Sequence, residues 1–307
     1  MSAVAVDGLH KRFRDTAALA DVSFQVEPGE IFGFIGPDGA GKTTLFRVLT
    51  TLLLPDAGTA RVLGLDVVAD LWALRRRVGY MPGRFSLYPD LSVEENLRFF
   101  ASVFGTTLEA QYEMIAPVYD QIEPFRNRRA GALSGGMKQK LALCCALVHR
   151  PDILFLDEPT TGVDAVSRRE FWDLLGGLRA GGLTVVVSTP YMDEASRCDR
   201  VALIQGGRIL RIDRPDAIGA DYGFPLLAVS GGDRYRMLQT LRGYPSARAV
   251  YPFGDALHYT DARADADAAS VAAELETALA RDGFPDAAST PIPAGIEDSF
   301  MALMSTP

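Results

Sequence analysis

A glycine-rich segment between an apolar strand and a helical pattern constrains the fold of this 307-residue chain more than any other feature. Residues 36–43 read G-P-D-G-A-G-K-T and match the pattern G-x-x-x-x-G-K-[ST]. They follow the mostly apolar run 30–35 and precede a helical pattern through Leu45 and Leu49. A strand, a glycine loop and a helix in this order predict a parallel α/β sheet that holds a polyphosphate at the loop.

The residues of the loop suit a polyphosphate and its metal. Glycines let successive backbone N–H groups point into one concavity, and the following helix adds its positive N-terminal dipole. Lys42 is expected to neutralise the β- and γ-phosphates, and Thr43 to offer its hydroxyl to Mg²⁺. A flexible glycine turn is the alternative. The predicted nucleotide site comprises Gly36, Pro37, Asp38, Gly39, Ala40, Gly41, Lys42, Thr43 and Thr44.

A second apolar strand, residues 153–156, ends in the carboxylates Asp157 and Glu158. Asp157 is expected to hold Mg²⁺ through water, and Glu158 to orient and deprotonate the attacking water as general base. Two acids at a strand end are commonplace, and taken alone they indicate a structural role. Downstream of a phosphate loop, they indicate catalysis.

A third motif lies between these two and consists of Leu133, Ser134, Gly135, Gly136 and Met137. A serine and two glycines at a helix N-terminus form a second anion cradle, or simply a glycine-rich cap. The three motifs in this order resemble those of the ATP-binding subunits of ABC transporters, whose LSGGQ signature is matched except at Met137. The resemblance covers roughly residues 3–220. It implies that two subunits enclose ATP, with this signature facing the γ-phosphate on the opposite subunit.

The resemblance extends to further positions. Phe13 stands where the family places an aromatic that stacks on adenine, although an aromatic between strands also suits the core. The run 85–92 is similar to the region that docks on the coupling helix of a membrane subunit. The D-loop, which touches the partner subunit in the family, corresponds to Gly162, Val163 and Asp164.

Two positions depart from the family pattern. Gly83 replaces the Q-loop glutamine, and Pro190 replaces the switch histidine that senses the γ-phosphate. Loss of one transition-state donor typically lowers the rate by about 10² to 10³-fold. The site built on this chain's own loop is therefore expected to bind ATP well and to hydrolyse it slowly. Two alternatives are a non-hydrolysing, ATP-binding subunit of a heteromeric transporter and a soluble ABC-type ATPase that is not coupled to transport.

The segment Tyr191–Ala195 and the C-terminal extension resemble the subclass that pairs with ABC-2-type membrane subunits. That likeness implies export of drugs, antibiotics or lipid-like compounds. The expected partners are a second ABC ATPase subunit, as a homo- or heterodimer, and ABC-2-type transmembrane permease subunits. The chain is expected in the cytoplasm, held at the inner face of the cell membrane through the permease.

Composition excludes several other classes of function. The net charge is −8, and the 31 Lys and Arg are scattered, which argues against nucleic acid as a partner. No apolar segment approaches the roughly 18 to 20 residues that cross a bilayer. The three cysteines lack the spacing of a zinc site or a disulfide framework, so they are expected to be small apolar side chains.

The pattern of elements predicts two domains. Residues 1–220 should form the ATPase domain, an α/β fold of the P-loop type with a parallel core, an antiparallel β edge layer and a helical subdomain at about 71–150. Residues 221–307 follow the order strand, helix, strand, strand, helix, strand, which is the split βαβ arrangement of a small α+β domain. This domain is expected to stabilise the chain or pack in the dimer, with regulation as the alternative.

Overall fold

The computed structural model describes residues 2–304. It divides into two compact units, with the division between Pro215 and Asp216. Within the described range, no helix has both the length and the apolar character needed to cross a bilayer.

The first unit contains a large set of strands and helices. Its strands are β1 (Val4–Phe13), β2 (Thr16–Val26), β3 (Ile31–Ile35), β4 (Ala57–Val62), β5 (Leu65–Asp66), β6 (Val78–Met81), β7 (Ile153–Asp157), β8 (Thr184–Thr189), β9 (Arg200–Gln205) and β10 (Arg208–Asp213). Its helices are α1 (Lys42–Leu49), α2 (Leu71–Arg75), α3 (Val93–Val103), α4 (Tyr112–Tyr119), α5 (Gly135–Leu147) and α6 (Ala165–Ala180). Short 3-10 helices cover Glu109–Gln111, Glu123–Phe125, Ala130–Ala132 and Met192–Arg197.

The central sheet has the strand order β10-β9-β3-β8-β7-β6. All neighbouring pairs are parallel except β9 and β10, which are antiparallel. Strands β3, β7 and β8 are buried along their whole length because the sheet is covered on both faces. Their carboxyl ends meet at one edge, the place where open α/β sheets bind ligands.

A second, antiparallel sheet has the order β2-β1-β4-β5. A chain of aromatic rings joins it to the central sheet: Phe24 of β2 lies 4.9 Å from Phe34, and Phe34 lies 5.9 Å from Phe46 of α1. Phe46 in turn lies 5.7 Å from Phe155 of β7. Such edge-to-face pairs add stabilisation beyond the burial of the rings. The two sheets and α1 therefore share one core, and these layers confirm the predicted α/β class.

The expected helical subdomain at about 71–150 also contains a strand, β6, which the sequence did not predict. Val78–Met81 forms a strand that pairs in parallel with β7. The strand has only four residues, too few for a periodic signal. A Cβ at Gly79 would lie 2.6 Å from the carbonyl oxygen of Ala146, so the glycine lets α5 pack closely on the strand. The short strands β4 and β5 were also missed.

Two of the helices between β6 and β7, α3 and α5, begin at side-chain caps. Ser92 caps α3 in a reciprocal capping box, in which its Oγ accepts from the N–H of Glu95 at 3.1 Å. The Glu95 carboxylate accepts from the N–H of Ser92 at 2.7 Å. Ser134 caps α5 and accepts from the N–H of Met137 at 3.4 Å.

The second unit is built on a four-stranded antiparallel sheet of order β12-β13-β11-β14. Its connectivity is the βαββαβ order that the sequence predicts. Leu227, Leu241 and Leu275 belong to its separate hydrophobic core. The elements are α7 (Pro215–Ala220), β11 (Leu226–Ser230), α8 (Arg234–Arg242), β12 (Ala247–Phe253), β13 (Ala256–Asp261), α9 (Ala268–Arg281), β14 (Ala288–Pro291) and α10 (Ile296–Met304).

The structure moves the predicted domain boundary from residue 220 to Pro215. Residue 220 is the last residue of α7, which packs against the C-terminal segment of the second unit. The Ser299 hydroxyl of α10 donates to the carbonyl oxygen of Ile218 at 3.0 Å, and Ile218 is fully buried. These contacts explain why the helix belongs to the second unit.

Candidate functional site

The carboxyl ends of β3, β7 and β8 bring the predicted site residues together. β3 leads into the phosphate loop, β7 ends at Asp157, and β8 ends one residue before Pro190. The strand register places Asp157 opposite Ser188 and Ile35 opposite Thr189. Parallel pairing therefore brings together, at one edge, segments that are far apart in sequence.

The phosphate loop is wrapped around the ammonium of Lys42, which is 3% exposed. Its Nζ donates to the carbonyl oxygens of Gly36 at 2.7 Å and Pro37 at 3.0 Å. A Cβ at Gly36 would collide with the carbonyl oxygen of Ile204. Gly41 has a φ of 104°, and a Cβ there would collide with the carbonyl oxygen of Ala18. The shape of the loop thus requires glycine at both positions.

The start of α1 differs from the starts of the other helices near the site. Within residues 2–304, no side chain caps α1, and its first turn carries no acidic residue. By contrast, Ser134 caps α5 and Asp164 caps α6. The first N–H groups of a helix have no partner inside it, so an uncapped N-terminus favours an anion.

The two carboxylates at the end of β7 have different surroundings. Asp157 is 2% exposed, and its Oδ1 accepts from the Ser188 hydroxyl at 2.7 Å. Glu158 has a φ of 51°, in the left-handed region that non-glycine residues rarely adopt. Its N–H donates to the carbonyl oxygen of Ser188 at 3.0 Å and to the Ser188 hydroxyl at 3.1 Å. Ser188 therefore holds both the carboxylate of Asp157 and the backbone of Glu158.

The Glu158 side chain points to the phosphate loop, and its Oε1 lies 3.1 Å from Nζ of Lys42. This ion pair joins the predicted general base to the predicted phosphate-binding lysine. Tyr80 lies on β6, the strand that pairs with β7. Burial, followed by the nearby Asp157 charge, raises the pKa of Tyr80 to about 12. The Tyr80 phenol therefore lies in a partly desolvated position near Asp157.

The oxygen donors at this edge fit Mg²⁺. Asp157 supplies a buried carboxylate and Thr43 a hydroxyl at the start of α1. Among the described residues, no group of three or more His, Cys, Asp or Glu could hold a metal unaided. Mg²⁺ is usually held by one or two carboxylates together with substrate phosphates, so these two residues suit a metal that arrives with a nucleotide.

The signature and the predicted D-loop pack against each other within the chain. A Cβ at Gly136 would lie 2.7 Å from the Cβ and Oγ of Ser167 in α6. A Cβ at Gly135 would lie 3.4 Å from the carbonyl oxygen of Gly162. Ser134 and Gly135 are exposed, whereas Leu133 and Gly136 are buried. The exposed Ser-Gly pair at the start of α5 is therefore accessible to a ligand from outside the chain.

The D-loop itself leads into α6. The Asp164 carboxylate accepts from the N–H of Val166 at 3.1 Å and of Ser167 at 3.0 Å. These hydrogen bonds, the one from Ser167 foremost, hold the pKa of Asp164 below its ordinary value. Val163 is buried and Gly162, with a φ of 75°, is exposed. The loop therefore has a fixed shape and an exposed tip.

Phe13 lies at the end of β1 and is 47% exposed. The Nζ of Lys11 lies 5.8 Å from the centre of its ring. The sequence left open whether Phe13 belongs to the core. The exposure of its ring favours an accessible position.

The two positions that depart from the family pattern both lie at the sheet edge. Pro190 directly follows β8, and it has no side-chain donor. A Cβ at Gly83 would lie 2.9 Å from the carbonyl oxygen of Asp157, closer than real Cβ contacts. The backbone at Gly83 packs against the end of β7, so a larger residue at this position would require the backbone to move.

Sequence reasoning missed four residues of the site: Ser188, Thr160, Arg168 and Glu194. Ser188 has no motif of its own, and only the register of β7 with β8 reveals its role. Glu194 is buried and accepts hydrogen bonds from Thr160 and Thr189. An acidic residue in a polar segment gives no sign of burial, so these contacts depend on the tertiary structure.

Comparisons with known proteins address the family to which the chain belongs. A family model described as ABC transporter matches residues 19–161. The probable multidrug ABC transporter ATP-binding protein YbhF of Escherichia coli is 46% identical over 214 residues, 69% of this chain and 37% of that protein. The chain thus spans just over a third of the length of this relative. The Nod factor export ATP-binding protein I of Burkholderia orbicola is 40% identical over 239 residues, 76% of this chain and 79% of that protein.

A solved structure has the same fold as most of the chain. It is a dimeric ATP-binding cassette in a post-hydrolysis state with ADP and Pi, with a TM-score of 0.62 and 25% sequence identity. The match covers 69% of this chain and 98% of that one. Family model, relatives and fold all agree, and the chain belongs to the ATP-binding proteins of ABC transporters, an ABC ATPase family.

Proposed function

We propose that the chain binds MgATP at Gly36–Thr44 and hydrolyses it to drive transport through membrane subunits. The observation that carries this proposal is the position of Lys42, buried in the loop and 3.1 Å from the Glu158 carboxylate. A phosphate-binding cation and a general base are thereby in direct contact at one sheet edge. Thr43 and Asp157 would hold the metal, which supplies charge neutralisation on the phosphates.

A second cassette, identical or different, completes the site in this proposal. The exposed Ser134-Gly135 pair at an N-terminus capped by Ser134 suits a phosphate from outside the chain. The related cassette solved with ADP and Pi is a dimer, which supports the same arrangement here. Phe13, exposed at the end of β1, would stack on the adenine ring.

The direction of transport is proposed to be export, with a drug, an antibiotic or a lipid-like compound as cargo. The names of the relatives support this, since one is a probable multidrug transporter protein and another serves Nod factor export. An ABC-2-type permease is the proposed membrane partner, and it would hold the chain at the inner face of the cell membrane. The segment Tyr191–Ala195 supports that pairing by its resemblance to the subclass.

A groove on the first unit offers a docking place for the permease. Its volume is 580 Å³, and its lining includes Trp72, Phe85, Val103 and Phe104. Trp72 is 72% exposed and Val103 is 62% exposed, an unusual concentration of exposed large apolar side chains. Part of the predicted docking run, residues 85–87, lies in the groove.

The chain's own site is proposed to turn over slowly. Gly83 and Pro190 provide no side-chain donor at two positions around Asp157 and Glu158, and each missing donor lowers the rate by about 10² to 10³-fold. The same observation favours a second candidate, a subunit that binds ATP without hydrolysing it. The retained Glu158, ion-paired to Lys42, favours slow hydrolysis over none.

The test uses the purified full chain and calorimetric titration with MgATP. Wild type should bind, Lys42→Ala should weaken binding at least 100-fold, and Glu158→Gln should bind normally while losing the residual turnover. Turnover is then measured for the chain alone and mixed with its partner ATPase subunit. Absence of MgATP affinity in the wild type, or unchanged affinity in Lys42→Ala, contradicts the proposal. Fast turnover by the chain alone contradicts only the slow site.

A further inference from the structure

A buried carboxylate that belongs to neither the phosphate loop, the strand-end pair nor the signature lies against the candidate site. Glu194, in the 3-10 helix Met192–Arg197, is 3% exposed. Its Oε1 accepts from the Thr160 hydroxyl at 2.7 Å, and its Oε2 accepts from the Thr189 hydroxyl at 2.6 Å. Hydrogen bonds to a carboxylate are short and strong, and burying the charge without them would be unfavourable. The side chain therefore acts as a bridge between its two threonine partners.

Each end of this bridge lies beside a position that matters for hydrolysis. Thr160 is two residues beyond Glu158 in the sequence, and Thr189 is the last residue of β8, directly before Pro190. The Thr189 hydroxyl also accepts from the N–H of Tyr191 at 3.0 Å, which fixes the backbone on the far side of Pro190. Glu194 thus connects the segment after the general base to the switch segment.

The Glu194 bridge connects chain segments that lie beyond the last residues pairing β7 with β8. The ladder between β7 and β8 ends at the pair Asp157 and Ser188. Beyond it, the N–H of Glu158 bonds to Ser188, and the next connection is the one through Glu194. Glu158 is also held in a left-handed conformation, which persists only where the surroundings fix the backbone.

A third segment joins the same cluster. Nε of Arg168 in α6 lies 3.7 Å from Oε1 of Glu194, and its guanidinium lies 4.2 Å from the ring centre of Tyr191. Within residues 2–304, that Nε is buried and has no hydrogen-bond partner, so its interaction with Glu194 is an ion pair only. Arg168 follows Ser167, against which the signature glycine Gly136 packs.

We propose that Glu194 is a positioning residue for ATP hydrolysis: it holds the Glu158 segment, the switch segment and α6 in one arrangement. The proposal rests on the proposed function, since it needs a hydrolytic reaction at Glu158. Because neither Gly83 nor Pro190 provides a side-chain donor, the alignment of Glu158 depends on such backbone supports. A displacement of about 1 Å in a catalytic group lowers a rate about 10²-fold, so loss of the bridge should lower kcat.

The experiment compares variants of the full chain in single-turnover hydrolysis of MgATP, with binding and thermal unfolding measured in parallel. Glu194→Ala should lower kcat about 10 to 100-fold while the Kd for MgATP changes less than about twofold. Thr160→Val, which removes one hydroxyl at nearly constant volume, should lower kcat in the same sense. The double variant should be no slower than Glu194→Ala alone, because both changes break one link.

Asp193→Asn is the matched control. Asp193 is the neighbouring carboxylate, 3.6 Å from Arg168, but its side chain is 74% exposed. It should leave kcat unchanged. If Glu194→Ala does not fold, Thr160→Val decides: a lower melting temperature with unchanged kcat overturns the positioning role.

Other outcomes separate the positioning role of Glu194 from the proposed function on which it rests. A folded Glu194→Ala with wild-type kcat, or one in which kcat and MgATP affinity fall together, overturns the positioning role and leaves the proposed function intact. A wild-type chain that neither binds nor hydrolyses MgATP overturns the proposed function instead.

Discussion

Nζ of Lys42 and Oε1 of Glu158 lie 3.1 Å apart, so the phosphate-loop cation and the proposed general base form an ion pair. The ammonium has three protons, and its other oxygen partners are the carbonyls of Gly36 and Pro37. A phosphate oxygen that binds to Lys42 must therefore replace one of these partners. Of the three, Glu158 is the partner that binds through its side chain rather than its backbone, so nucleotide binding should free its carboxylate for the attacking water.

Ser188→Ala should slow hydrolysis more than it weakens binding. The hydroxyl donates to Asp157 and accepts from the N–H of Glu158, so both site carboxylates lose a support. A hydrogen bond to a charged group contributes about 1.5 to 3 kcal/mol, and kcat should fall about 10 to 100-fold in single-turnover assays. Thr184→Ala is the control, since its buried hydroxyl on the same strand accepts from Gly29 at 2.9 Å, far from the site. It should lower the melting temperature and leave kcat alone.

Restoring the two missing side chains should have unequal effects. Pro190→His adds a donor after β8 and should raise turnover up to about 10²-fold. Gly83→Gln should raise it much less, because its Cβ would lie 2.9 Å from the carbonyl oxygen of Asp157 and the backbone would have to move. Steady-state ATPase rates of the two variants test this. A larger gain for Gly83→Gln would show that the loop relaxes freely.

Two glycine-to-alanine changes in helices should shift stability in opposite directions. At Gly136 in α5, the new Cβ would lie 2.7 Å from Ser167, and such overpacking costs about 1 to 3 kcal/mol. At Gly176 in α6, no described atom beyond the surrounding helical backbone and the chain neighbours lies within 4 Å of the new Cβ, so Gly176→Ala should stabilise by about 0.5 to 1 kcal/mol. Urea unfolding gives both values. Equal effects at the two positions would contradict the close packing of α5 on α6.

Acid should destabilise the chain through His149. Burial lowers the pKa of this imidazole from 6.5, although its ring nitrogen lies 3.1 Å from the carbonyl oxygen of Val78. As the pH falls, the unfolded chain therefore takes up the proton before the folded chain does. The contribution of neutral His149 to stability is fully present above about pH 6.5 and is lost as the pH falls through the lower pKa of the folded chain. His149→Gln should flatten the free energy of unfolding between pH 7 and 5. An unchanged slope would show that the ring titrates normally.

In the second unit, local sequence patterns were enough to predict the order of strands and helices. The bounds of these elements were predicted within a few residues, because alternating apolar residues and turn signals are local properties. The domain boundary was placed too late because the contact between α7 and Ser299 joins residues 81 apart in the chain, which no local pattern reveals. Strand β6 was missed because four residues carry too little periodicity.

Sequence alone determined the phosphate loop, the two carboxylates after β7, the signature and the departures at Gly83 and Pro190. Each of these is a contiguous pattern in which the chemistry depends on neighbouring residues. Only the tertiary structure revealed the support from Ser188, the bridge through Glu194 and the contact of Gly83 with Asp157. Such contacts join residues far apart in the chain, and strand register and packing create them.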